Sequence, residues 1–306
     1  MIFDLHVRVW RSPDQLGKAI WNQVASHHAG RWVRVDASPA ALAASSECLT
    51  GAALLGFRSE LLGACIPHEF VAECVRRDPG RLVGIGGVDP MAPDPLGQVD
   101  AAVSLGLSGI TVSPASQGFH PAHSSAMRVY ERCERLGLPV LAARCGPLTS
   151  AAVLDFDRPA AWDEIARSFP RLRLVISELG WPWIDECLAM LGKHANVFAD
   201  LAGLASRPWI LQQALLGAAA HGVLERVLFA SGFPFEQPAR AIETLYSLHA
   251  FSHGTQLPTV PRSSLRAVVE RDSLAVLGLD PPGFTGAPPR AERTSPANGP
   301  AGRTPR

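Results

Sequence analysis

Two ionisable side chains, His6 and Arg8, lie two residues apart at the end of the apolar N-terminal segment MIFDLHVR. Residues two apart share one face of a β-strand, so both side chains are predicted to point in the same direction. Histidine titrates near neutral pH and can act as a general acid–base, and a permanently charged arginine can bind an anion. The alternative for His6 is a side chain that only makes hydrogen bonds to its neighbours. The end of this strand is therefore a candidate catalytic site.

Glu178 and Arg144 are also charged and also follow apolar, β-like runs. Glu178 is predicted to be a catalytic base or a substrate anchor, or else only the salt-bridge partner of Arg8. Arg144 together with Arg8 can hold a substrate carboxylate or phosphate in bidentate fashion; alternatively, Arg144 bonds loop carbonyl groups. The predicted catalytic residues are His6, Arg8 and Glu178.

Substrate binding is assigned to Arg144, Trp181 and Ser231. Trp181 and Trp183 flank Pro182, and they are expected to wall a pocket or to pack beneath the loop. Ser231 ends the last β-like run of the chain.

Three further side chains could act as a nucleophile or as metal ligands, but a structural role is favoured for each. Cys145 would be a nucleophile if a neighbouring cation lowered its thiol pKa, but an inert thiol is the favoured interpretation. His120 and His123 have a spacing compatible with metal binding, whereas Pro121 and the loop setting favour a surface pair.

Eight β-like runs alternate with helical segments, which is the pattern of an α/β protein with a (β/α)8 TIM-barrel fold. A doubly wound open sheet is the alternative, but it normally begins with a Gly-rich phosphate-binding turn, and none follows the first run. Residues 1–280 are predicted to form the barrel, and residues 281–306 a disordered tail rich in Pro, Gly and Arg. The runs are 1–7, 51–57, 81–88, 108–113, 138–143, 172–177, 195–200 and 226–231.

The composition excludes several classes of function. A formal net charge of zero over 306 residues gives no field that favours nucleic acid or an anionic membrane. No run of about 18 apolar residues and no export signal is evident, so no membrane span is expected. The six cysteines are scattered without a C-x-x-C motif, which favours reduced thiols and a cytoplasmic location.

Several blocks of the sequence resemble amidohydrolase-related proteins, in the branch that contains aminocarboxymuconate-semialdehyde decarboxylase and aromatic-acid decarboxylases. The resemblance implies a metal-dependent hydrolase or decarboxylase built on a barrel. Relatives often dimerise, so a homodimer is compatible with it. The blocks are RRDPGRLVGIGGVDP (76–90), GLPVL (137–141), FPRLRLVISELGWPW (169–183), NVFADLAG (196–203), FASGFPF (229–235) and DSLAVLGL (272–279).

The resemblance also implies a set of metal ligands, most of which this chain lacks. The family's H-x-H on the first strand is His6 and Arg8 here, and its later ligands, two histidines and an aspartate, fall on Ala143, Glu178 and Gly232. A zinc site needs about three protein ligands, and arginine has no lone pair to offer. No bound metal is therefore expected; the alternative is a zinc site rebuilt from His6, Glu178 and Cys145. The family's first-strand aspartate is retained as Asp4, which is expected to be structural.

The favoured hypothesis is a metal-independent hydrolase or carbon–carbon lyase of the decarboxylase type. His6 and Glu178 would transfer protons, while Arg8, with Arg144, would hold a small anionic substrate of aromatic or polyketide-like character. One alternative is a non-catalytic member that binds a ligand or a partner subunit, since two ligand positions have become small residues. The other is an ordinary metal-dependent hydrolase or decarboxylase.

Overall fold

The structure of the protein is a computed structural model that describes residues 1–27 and 35–279. The predicted disordered tail, 281–306, lies outside the described residues. None of the described helices has the length and apolar composition needed to cross a lipid bilayer.

The described residues form ten β-strands. They are β1 (Phe3–Val7), β2 (Gly51–Leu55), β3 (Phe57–Ser59), β4 (Ala64–Ile66), β5 (Leu82–Gly87), β6 (Gly109–Val112), β7 (Val140–Ala142), β8 (Leu174–Ile176), β9 (Val197–Asp200) and β10 (Val227–Leu228).

Twelve α-helices occur in the same described ranges. They are α1 (Gly17–His27), α2 (Pro39–Ser45), α3 (His68–Arg77), α4 (Pro95–Ser104), α5 (Pro114–Gln117), α6 (Ser124–Leu136), α7 (Asp163–Ser168), α8 (Ile184–Lys193), α9 (Pro208–Ala220), α10 (Pro238–Ser247), α11 (Arg262–Val269) and α12 (Ser273–Leu277).

Eight parallel strands form one sheet in the order β1-β2-β5-β6-β7-β8-β9-β10. The first and last strands are joined by backbone hydrogen bonds, from Leu5 N to Phe229 O and from Gly232 N to His6 O, both of 3.1 Å. The sheet is thereby closed into a barrel with helices around it. The predicted (β/α)8 TIM barrel is confirmed, and each of its eight strands lies within one of the predicted runs.

Two features of the fold differ from the predicted elements. The run 51–57 continues into a separate antiparallel hairpin, β3–β4, which the apolar pattern does not separate from β2. The apolar pattern over residues 262–278 reads as one helix, but the structure has two, α11 and α12, because Asp272 begins the second by accepting a hydrogen bond from Ala275 N.

Apolar side chains from alternate strand positions fill the interior of the barrel. β1 contributes Phe3 and Leu5, and α12 adds Leu274 and Leu277 from below, so the barrel is closed at the end away from the carboxyl ends of its strands. Full burial of a side chain of this kind contributes about 1.5–3 kcal/mol. The interior is thus a packed core, and among the described residues a cleft opens at the opposite end of the barrel.

A β-bulge in β1 decides which of its side chains reach the open end. Phe3 and Leu5 belong to the inner core, whereas Val7 packs in the outer core between the strands and the helices. The pairing of β1 with β2 shifts register between Asp4 and Val7, and an extra residue of this kind reverses the alternation of faces. His6 and Arg8 therefore face the barrel mouth in place of Val7.

Asp4 links the first strand of the barrel to the segment that follows the last strand. It is fully buried, and its Oδ1 accepts hydrogen bonds from Ser231 N at 2.9 Å and from His6 N at 3.1 Å. Its Oδ2 has no hydrogen-bond partner among the described residues. Burial raises the pKa of Asp4 to about 6, although the hydrogen bonds from Ser231 and His6 oppose that rise.

The raised pKa of Asp4 predicts a pH dependence of stability. Because the folded state holds this proton more tightly than the unfolded chain, the contribution of Asp4 to the free energy of unfolding falls as the pH rises from about 4 to about 6. The shift corresponds to at most about 3 kcal/mol. The Asp4→Asn variant keeps an acceptor oxygen but does not titrate, so its urea-unfolding free energy should fall less between pH 4.5 and pH 7.5.

The exposed residue Asp14 provides the matched control, since Asp14→Asn should leave the wild-type pH dependence unchanged. Equal pH dependences in wild type and Asp4→Asn would contradict the prediction.

Candidate active site

A cleft of about 640 Å³ opens at the carboxyl ends of the barrel strands. Ligand sites of TIM-barrel enzymes lie at this end. Five of the predicted site residues line the cleft: His6, Arg8, Arg144, Glu178 and Trp181.

His6 lies between a cation and an anion. On one side its Nε2 is 2.6 Å from Arg8 Nη1, and on the other its Nδ1 is 3.5 Å from Asp200 Oδ2 and 3.4 Å from Ser177 Oγ. An arginine can only donate, so Nε2 must accept and the ring proton must be on Nδ1. Burial, followed by the charge of Arg8, lowers the pKa of His6. His6 is therefore a neutral imidazole that carries its ring proton on Nδ1.

Asp200, at the end of β9, organises this part of the cleft floor. Its Oδ2 accepts a hydrogen bond from Ser177 Oγ at 2.7 Å, and its Oδ1 accepts from the backbone N–H groups of Glu178 and Ala202 at 3.1 and 3.0 Å. Burial alone would raise the pKa of Asp200, but hydrogen bonds from His6, Ser177 and the Ala202 N–H hold it below its usual value.

The Arg8 guanidinium is fixed by the protein itself. The residue is 2% exposed, and besides His6 it donates to the carbonyl oxygens of Arg144 and, at 3.3 Å, Ala143. Its Nε is buried and has no hydrogen-bond partner within residues 1–27 and 35–279. Arg8 thus ties the end of β1 to the end of β7 and fixes a positive charge at the bottom of the cleft.

Glu178 pairs with Arg144 and not with Arg8, the partner considered from the sequence. Arg144 Nη2 donates to Glu178 Oε2 at 2.6 Å and to the carbonyl oxygen of Trp181 at 3.1 Å. Both charged side chains are mostly buried, with 12% of Arg144 and 19% of Glu178 exposed. Arg144 therefore makes the loop-carbonyl contact expected of its structural role and also an ion pair inside the cleft.

The backbone that carries Glu178 is in an unusual conformation. Glu178 and Leu179 have φ angles of 57° and 47°, in the left-handed region that non-glycine residues rarely adopt. Each such residue costs about 1–3 kcal/mol, and such residues cluster at functional sites. The turn directs the Glu178 side chain to Arg144 and the Glu178 N–H to Asp200.

Arg207 is a cleft residue that the sequence analysis missed. Its guanidinium carbon lies 4.1 Å from the centre of the Trp181 ring, on which Arg144 also packs at 5.7 Å. Arg207 is exposed, lines the cleft and has no carboxylate partner among the described residues. It lies in a loop just before α9, where neither periodicity nor motif spacing marks it.

The remaining candidates lie away from the cleft surface. Ser231 is fully buried and its Oγ accepts from Phe233 N at 3.0 Å, so its position gives no support to the predicted substrate contact. Cys145 is buried, and burial raises its thiol pKa despite the opposing charge of Arg8, which disfavours a nucleophile. His120 and His123 are exposed, and His123 accepts from Ser125 N at the start of α6.

The donor set at the cleft does not fit a divalent metal ion. In residues 1–27 and 35–279, no three or more His, Cys, Asp and Glu side chains are close enough together to hold one ion. The Nε2 lone pair of His6 is directed at Arg8, whose fixed charge would repel a cation placed beside it.

The comparisons with known proteins agree with this architecture. A structure of a TIM-barrel protein of unassigned function from Bordetella bronchiseptica is 18% identical, with a TM-score of 0.66, covering 90% of this chain and 99% of that chain. A probable 2-pyrone-4,6-dicarboxylic acid hydrolase from Acinetobacter baumannii, with citric acid bound, is 15% identical with a TM-score of 0.62 over 90% and 99% of the two chains.

A dihydroxybenzoic acid decarboxylase from Polaromonas sp. JS666, with manganese and the inhibitor 2-nitroresorcinol bound, is 13% identical. Its TM-score is 0.60 over 91% of this chain and 97% of that chain. A search of curated protein sequences found no match. The family model for amidohydrolases matches residues 4–264. The chain therefore belongs to the amidohydrolase family.

Proposed function

We propose that the protein is a metal-independent enzyme of this family, acting as a hydrolase or a decarboxylase-type carbon–carbon lyase on a small, anionic, aromatic substrate. The observation that carries the proposal is the hydrogen bond between Arg8 and the Nε2 atom of His6. It puts a fixed guanidinium charge, and not a free metal-binding imidazole, at the bottom of the cleft.

The charge distribution supports an anionic substrate. Arg8, Arg144 and Arg207 line the cleft, and Glu178 is the one carboxylate among its described lining residues. Arg207 is free of carboxylate partners in the described part of the chain and lies against an indole ring, an arrangement that suits a flat, negatively charged molecule. The hydrolase and the decarboxylase named above are similar in fold, and their names concern acids of this kind.

The proposed chemistry assigns different tasks to the charged groups. Arg8 would stabilise negative charge that develops on the substrate, because a pre-oriented donor in a dry site needs no reorganisation. A substrate oxygen would compete with His6 Nε2 for the hydrogen bond from Arg8. When the substrate oxygen accepts that hydrogen bond, the Nε2 lone pair of His6 becomes free to accept a proton. His6, oriented by Asp200, and Glu178, oriented by Arg144, would then exchange protons with the substrate or with water.

The two alternatives have less support. A non-catalytic ligand-binding role is consistent with the small residues Ala143 and Gly232 at the mouth, but it gives no reason for a buried, ionisable His6–Asp200 pair. An ordinary metal-dependent enzyme would need ligands that the described residues do not bring together.

The first test is turnover by variants of the two proton-transfer residues. With 2,6-dihydroxybenzoate and 2-pyrone-4,6-dicarboxylate as trial substrates, Glu178→Gln and His6→Asn should each lower kcat by about 10²–10⁴-fold, the usual contribution of a general acid–base. Glu131→Gln, which changes an exposed glutamate on α6, is the matched control and should retain wild-type turnover. Full turnover by both site variants would refute the assigned roles.

The second test is metal content. Protein purified without chelator should contain far less than one equivalent of zinc, manganese or iron per chain by plasma mass spectrometry, because Arg8 repels a cation at His6. Any turnover should also survive dialysis against a chelator. Near-stoichiometric metal, lost together with activity on chelation, would favour the metal-dependent alternative instead.

A further inference from the structure

Arg144 lies between two carboxylates, only one of which has an assigned role. Its Nη2 is 2.6 Å from Glu178 Oε2, and its Nε is 3.7 Å from Asp157 Oδ2. Asp157 is as buried as Arg144, with 12% of each side chain exposed. One guanidinium charge therefore serves two mostly buried anions.

Asp157 is held by few other contacts. It ends a short 3-10 turn between β7 and α7, and its Oδ1 accepts from Ala115 N of α5 at 3.3 Å. Its Oδ2 has no hydrogen-bond partner in the part of the chain that the structure describes. A small cavity adjoins Asp157, walled by Trp162, Ser177 and Trp181 among others. Thus the interaction of Asp157 Oδ2 with its surroundings is mainly the attraction of Arg144.

We propose that Asp157 is a positioning residue, which competes with Glu178 for Arg144 and so sets how firmly that guanidinium holds Glu178 in the cleft. The role of Glu178 as a proton-transfer group rests on the proposed function. The competition for Arg144 does not, because it follows from the geometry of the three side chains alone.

The competition predicts a response to pH. Among the described residues, the charged groups that act on Asp157 are Arg144, from the segment after β7, and Glu178, from the turn after β8. From α5, the Ala115 N–H donates to Asp157. Burial raises the pKa of Asp157 to about 6, with Arg144 opposing and Glu178 reinforcing the rise. Below that pH, Arg144 is balanced by Glu178 alone. Above it, the three groups carry one net negative charge beside the cleft, which disfavours an anionic ligand.

A double-mutant cycle tests the competition without any substrate. Urea unfolding at pH 8 is compared for wild type, Asp157→Asn, Glu178→Gln and the double variant. In wild type, removal of Glu178 leaves Asp157 to balance Arg144; in the Asp157→Asn background, it leaves a buried cation alone. Glu178→Gln should therefore lower the folding equilibrium constant about tenfold more in the Asp157→Asn background than in wild type.

Asp155, two residues away and 76% exposed, gives the matched control, because Glu178→Gln should cost the same in Asp155→Asn as in wild type. Asp157→Asn keeps the acceptor for Ala115 N and is expected to fold. Additive effects of Asp157→Asn and Glu178→Gln would overturn the proposal.

Binding of a probe anion gives a readout that a purely structural role would not change. The affinity for 2,6-dihydroxybenzoate, measured by calorimetry, should fall about tenfold more between pH 5 and pH 7.5 in wild type than in Asp157→Asn. The uncharged analogue resorcinol should show no such difference. Equal pH dependences in the two proteins would overturn the proposal for Asp157, whereas no binding of the anion by wild type would contradict the proposed substrate class and leave the cycle to decide the role of Asp157.

Discussion

The hydrogen bond between Arg8 and His6 is the interaction on which the cleft depends. It requires a bulge in β1, because regular alternation after Phe3 and Leu5 would turn Val7 to the mouth. It fixes the His6 tautomer, since the guanidinium can only donate. The same guanidinium donates to the carbonyl oxygens at the end of β7, so a proposed catalytic residue also links β1 to β7. A large change at Arg8 would therefore alter shape, charge and proton position together.

Asp200 is the counterpart of Arg8 on the other side of the imidazole. A buried cation and a buried anion flank a neutral ring, which lowers the cost of burying either charge alone. Asp200 also binds the N–H of Glu178, so the orientations of the two proposed proton-transfer groups have a common origin. The ionisable mouth is thus one connected network, in which Arg144 links Glu178 to the protein on the far side.

The sequence predicted the barrel well, because the prediction depends on eight apolar runs separated by helical segments. An error in one element does not change the fold that the repeated pattern indicates. It also placed His6, Arg8, Arg144, Glu178 and Trp181 at the right end of the strands. It did not predict which charged side chains pair. Glu178 reaches Arg144 because its backbone adopts a left-handed turn, and no local sequence pattern indicates that turn. Arg207 and Asp157 were missed for a related reason. Both lie in irregular segments, and their importance depends on contacts with side chains that are distant in sequence.

The left-handed turn at Glu178 bears on whether this glutamate is functional. Glycine adopts such a φ angle without strain, and Gly180 follows in the same conformation with a φ of 66°. A chain under selection for stability alone would gain from glycine at position 178, since the ion pair with Arg144 returns little after both charges are desolvated. Asp157 already offers Arg144 another carboxylate. The presence of a glutamate in a strained backbone is therefore better explained by a carboxylate that the cleft needs than by one that the fold needs.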